Sequence, residues 1–217
     1  MVDWEERAAR VQERYEDGAA RLPADPDERQ RQLTRMGNAA WAAGLSLLML
    51  GRRDESHTWL LRAADTYRRS WPDAPPGSWG RPIGAMKSRL IAGDLAGAEK
   101  DARWALEAGA AASESPIGRY AAALAELVLG EDDAALELGA TLGGVDGFPV
   151  AVTETVAALA AGDATGYDEA IRALVADFDA RTEFLEDTPV ADTVLALQML
   201  ARERGFEAAL ESRLLPT

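Results

Sequence analysis

Apolar residues recur along this chain at intervals of three and four, the period of helices that bury one face. Trp4, Ala8, Val11, Tyr15 and Ala19 share one face of a first helix expected over Asp3 to Leu22. The pattern stops at LPADPDE, where Asp25 can cap a new helix, Pro26 suits its first position and Glu28 its third. That second helix should run to Gly51, and the stretch Trp41 to Tyr67 then reads as helix, glycine, returning amphipathic helix.

The same event repeats at Gly93, Gly130, Gly162 and Gly205. Each glycine can close a helix in the left-handed conformation, and the acids that follow, as in Gly93-Asp94 and Gly162-Asp163, favour the positive end of the next helix. Ser115-Pro116, Phe148-Pro149 and Thr188-Pro189 place proline where further helices should begin. In the inserted stretch GDATGYDEA, Thr165 can cap the helix that carries Tyr167, Ala170 and Leu174. These signals predict an all-α protein of stacked antiparallel helical hairpins, about eleven helices in sequence, forming one domain over residues 1 to 217.

The Gly51 hairpin resembles a tetratricopeptide unit. Gly44 stands where helices must approach closely, and Ser56, Leu60 and Ala63 follow as small, large and small residues. The corresponding residues are Met86, Ala98, Ala102 and Ala105 around Gly93, and Ala123, Ala135, Gly139 and Leu142 around Gly130. The expected architecture is therefore a tetratricopeptide-like α-solenoid.

Charge divides the chain. Thirty-seven acids oppose 23 basic residues, for a net charge of -14, and between Glu126 and Asp192 sixteen acids face only Arg172 and Arg181. Such a surface disfavours nucleic acid and anionic lipid and suits a basic partner. The same acidity would also arise from adaptation to high salt. With no cysteine, thiolate metal sites, disulfides and cysteine nucleophiles are excluded. A charged N-terminal stretch and the lack of a long apolar run make a cytoplasmic protein the expectation.

Candidate chemistry is sparse. The connector SWPDAPPGSWGRP, residues 70 to 82, holds Trp71, Trp79 and Arg81, with Arg89 close by. Tryptophan and arginine are the residues of interface hot spots, but indoles also anchor long crossovers to neighbouring hairpins. Asp177, Asp179, Glu183, Glu186 and Asp187 form the densest acidic cluster. On a continuous helix, Asp179, Glu183 and Glu186 would share a face, which reads either as a solvated surface or as a site for a hard cation or acid-base work. His57, the single histidine, cannot supply a paired-histidine metal site, and it reads as a surface or cap residue. Glycines 143, 144 and 147 form no phosphate-binding loop, because no strand precedes them and no lysine follows within the stretch. No nucleophile, base and electrophile can be named together, so the chain reads as a non-enzyme without a cofactor or metal.

The segment from Tyr167 to Thr217 resembles the C-terminal part of the immunity protein 49 family, antidotes found beside polymorphic toxins. The residues that carry the resemblance are the alanine- and leucine-rich helix Val194 to Ala201, the Arg204-Gly205 turn, and the ending Ser212, Leu215, Pro216. It implies a helical protein that binds and neutralises a toxin without catalysis of its own, and the acidic region from Glu126 to Asp192 suits a basic toxin domain. The alternative is a general adaptor that holds a peptide or partner helix in a concave groove. An open groove would favour the adaptor, and a filled one would count against it.

Overall fold

Glycine closes each hairpin in the same way. In the computed structural model, which describes residues 2–145 and 147–217, Gly51, Gly93, Gly130, Gly162 and Gly205 all have positive φ. At Gly93 (φ 77), the Gly93 amide donates to Leu90 and the Asp94 amide reaches back to the Arg89 carbonyl at 2.9 Å. This pairing satisfies carbonyls that the helix end would orphan. Asp94 then accepts from the Gly97 amide at 2.9 Å, so one turn stops a helix and caps the next. Asp146, in the glycine-rich turn, lies outside the described residues.

Among the described residues there are ten α-helices: α1 (Trp4–Ala20), α2 (Pro26–Met49), α3 (Arg53–Arg69), α4 (Gly80–Ala92), α5 (Leu95–Glu107), α6 (Pro116–Leu129), α7 (Asp132–Ala140), α8 (Val150–Ala161), α9 (Ala164–Asp179) and α10 (Asp192–Glu203). Two 3-10 turns, Ala110–Ala112 and Leu185–Asp187, complete the regular structure, and no strand occurs among the described residues. Asp25 and Pro26 begin α2 as the sequence predicts. Asp163, not Thr165, caps α9, because its carboxylate lies where both the Thr165 and Gly166 amides can donate. Pro189 does not start a helix either, since α10 begins at Asp192.

The hairpins α2/α3, α4/α5, α6/α7 and α8/α9 pack in chain order, with α1 laid on α2. The small and large positions aligned across three hairpins, from Gly44 to Leu142, are all buried. A Cβ at Gly44 would lie 2.6 Å from Leu60 Cγ, and the Ser56 hydroxyl donates to the Gly44 carbonyl at 2.7 Å. Small side chains there set the distance between helices. Tyr67 uses the same device across two hairpins: its ring fills the space that side chains at Gly37 and Gly84 would occupy.

The C-terminal segment departs from a simple stack. Helix α10 packs against α4, α8 and α9, two of which, α4 and α8, are first helices of their hairpins. Its buried face, Val194, Leu197, Leu200 and Ala201, is continuous with the core of α4 to α9. Just before it, Val190 enters the other core cluster, that of α1 to α3. The C-terminal segment therefore contributes to both core clusters. After Gly205 it continues without helix, held where Gln198 accepts from the Ala208 amide and where the Leu214 carbonyl accepts from Ala191.

Candidate functional site

The tryptophan connector folds inward. Trp71 contacts Trp79 with ring centroids 5.7 Å apart and meets Trp104 edge-on at 5.5 Å. Such pairs add about 0.5–1.5 kcal/mol beyond their burial. The Trp79 indole nitrogen lies so close to Gly118 that a side chain there would collide with it. Arg81 is buried, donating to the Ser70 carbonyl at 2.6 Å and to the Gln30 side chain. Burial lowers its pKa from the usual arginine value, and the two hydrogen bonds offset part of that cost. Trp79 and Arg81, expected as partner-binding residues, are thus packing anchors of the crossover, and Trp71 is half-buried between them and α5.

Arg89 serves the same junction. Its guanidinium reaches Asp101 at 2.6 Å, Asp94 at 2.7 Å and Asp65 at 2.6 Å, tying α3, α4 and α5 together. Burial alone would lower its pKa, but the Asp101 and Asp94 pairs outweigh burial and hold the charge firmly. Asp101 is buried and also accepts from Arg68 at 2.9 Å. Arg89 is committed to this network.

The acidic cluster does not form one helical face. Helix α9 ends at Asp179 with Ala180 as its C-cap, Glu183 follows in irregular chain, and Glu186 sits in a left-handed turn at φ 53. Asp177, Asp179 and Glu183 are exposed, and Asp179 accepts from Ser212 at 2.8 Å. Glu186 is turned away from them, to Arg14 at 2.6 Å. Among the described residues, no group of His, Asp and Glu gathers in a metal-binding arrangement. His57 is exposed. No helix of the described residues is long and apolar enough to cross a membrane.

Helix α10 is held on α4, α8 and α9 by polar contacts as well as by its apolar face. Lys87 on α4 pairs with Asp192 at 2.5 Å, and Tyr167 on α9 donates to Gln198. Arg204 reaches the Leu127 carbonyl at 3.0 Å and Asp132, fixing the Arg204-Gly205 turn to α6 and α7. None of these contacts has a local sequence signature, because each joins residues more than 30 positions apart.

A different surface has the composition of an interface. Between α7, α8 and α9 lies an open cleft of about 490 Å³, lined by Leu136, Ala157 and Ala161 together with Glu154, Asp163 and Glu169. Leu136 is 41% exposed. Exposed apolar side chains beside carboxylates of one sign give this surface the composition of a protein interface suited to a cationic partner. Comparison of the chain with protein-family models, curated proteins and solved structures finds no match.

Proposed function

We propose that this chain is a non-catalytic binding protein of the immunity type, which neutralises a basic toxin domain by direct association in the cytoplasm. The observation that carries the proposal is the α7/α8/α9 cleft, where exposed Leu136 lies beside Glu154, Asp163 and Glu169 in the most acidic part of the chain. Its carboxylates would raise the association rate of a cationic partner, and its apolar side chains would hold it once docked. The resemblance of residues 167–217 to the immunity protein 49 family supports the same reading. The alternative is a general adaptor that holds a peptide or partner helix.

The test is co-expression with the product of the neighbouring gene, followed by measurement of association between the purified proteins. Growth rescue and salt-sensitive association are expected, with Glu154→Lys/Glu169→Lys slowing association and Leu136→Arg speeding dissociation. Absence of both binding and rescue would refute the proposal.

A further inference from the structure

A second cleft, of about 580 Å³, opens between the start of α1 and the segment that follows α9. Its apolar walls are Trp4, Phe184 and Leu214, and three arginines, Arg7, Arg181 and Arg213, line it with them. In a chain of net charge -14, this concentration of guanidinium groups runs against the overall field. Among the described residues, Asp187 is the one carboxylate in the lining.

The arginines are incompletely used. Arg7 donates through Nη1 to the Glu186 carbonyl at 3.0 Å, while its buried Nε has no hydrogen-bond partner. A buried donor left without an acceptor costs about 1–3 kcal/mol. Arg181 stacks on the Phe178 ring at 3.7 Å, an arrangement that covers the face of the guanidinium and leaves its N–H edge available. Arg181 is one of only two cations among sixteen acids between Glu126 and Asp192. Even so, neither it nor Arg213 forms an ion pair among the described residues.

The neighbouring backbone keeps a further carboxylate out. Glu186 and Asp187 both adopt left-handed conformations, at φ 53 and φ 50, each costing a non-glycine residue on the order of 1 kcal/mol. Through this turn the Glu186 carboxylate reaches Arg14, outside the cleft lining, instead of neutralising Arg7, Arg181 or Arg213.

We propose that this cleft is a binding site for a small organic oxyanion, a carboxylate or phosphate carried on an aromatic or aliphatic body. Arginine forks match the paired oxygens of either group, Trp4 and Phe184 cover the body, and the cleft volume falls in the range of about 300–1,000 Å³ typical of small-ligand sites. The site is independent of the acidic interface and takes ligands of opposite charge.

The experiment is a titration of the full chain, followed by NMR at the Trp4 indole N–H, with phenyl phosphate, phenylacetate and neutral phenylacetamide. Saturable shifts are expected for at least one of the two anions, and the stronger of them identifies the head group. Arg181→Ala/Arg213→Ala, both at exposed positions, should weaken binding about tenfold or more, while Lys100→Ala should bind as the parent does. Equal response to phenylacetamide, undiminished binding by the double variant, or no saturable shift with either anion would overturn the proposal.

Discussion

The Lys87–Asp192 pair gives a quantitative test of how α10 is held. The two side chains are 13% and 12% exposed, their charged atoms are 2.5 Å apart, and Lys87 also donates to Thr193 at 2.9 Å. At an effective dielectric constant of about 20, the attraction over this distance is about 7 kcal/mol, most of which is cancelled by the cost of removing both charges from water. The net worth of the pair is therefore small, but truncating one member leaves the other buried and uncompensated. Lys87→Met should cost about 3 kcal/mol, which lowers the melting temperature by roughly 6–12 °C in a chain of this size. Lys87→Met combined with Asp192→Leu should restore stability to within about 1 kcal/mol of the parent, less about 0.5 kcal/mol for a carboxylate lost from the first turn of α10. Urea unfolding of parent, both single variants and the double variant closes the cycle. Additive losses, or a Lys87→Met cost below about 1 kcal/mol, would refute the account of a buried pair.

Two other predictions concern glycine and tyrosine. Gly44→Ala should cost about 1–3 kcal/mol, because the new methyl meets the Leu60 side chain at 2.6 Å and the Leu60 amide nitrogen at 3.1 Å. Gly93→Ala meets no atom within 4 Å and should cost only the left-handed strain, about 1 kcal/mol; thermal melts separate the two, and Asn should be tolerated only at Gly93. Burial pushes the phenols of Tyr67, Tyr120 and Tyr167 above their ordinary pKa, so each stays protonated in the folded chain while its unfolded counterpart ionises near pH 10. Stability is fully present below that pH and should fall above it, by up to about 1.4 kcal/mol per pH unit for each of the three; Tyr67→Phe should remove one third of the slope in denaturant titrations.

The hairpins were legible because their signals are local. A glycine at the turn within a hairpin, with an acid after it at Gly93, Gly130 and Gly162, and small residues at fixed offsets need only neighbours within the same hairpin, so the buried positions from Gly44 to Leu142 follow from spacing. What could not be read was the destination of side chains that act at long range. Arg81 pairs with Gln30 across 51 positions, which turns a residue with the composition of a hot spot into part of the interior. The acidic stretch after Phe178 would share one face only on a continuous helix, yet α9 stops at Asp179, and Glu186 meets Arg7 and Arg14, 179 and 172 positions away. The arginine cleft is missed for the same reason: its lining comes from both ends of the chain, and no stretch of sequence contains more than part of it.

The contact of Glu186 and Val190 with the first helices has a consequence for how the molecule acquires its structure. A linear array can fold from one end as it is synthesised, each unit completing itself on the one before. Here α1, α2 and α3 leave the ribosome long before residues 184–192, which supply the carboxylate that pairs with Arg14, the carbonyl that accepts from Arg7, and the Val190 side chain of their core. At a synthesis rate of about 5–20 residues per second, that delay is on the order of ten seconds, during which these groups lack their partners and are open to wrong pairing or to chaperones. The first helices are therefore expected to reach full stability only after the C-terminal segment docks, which ties the two ends of the chain into one cooperative unit.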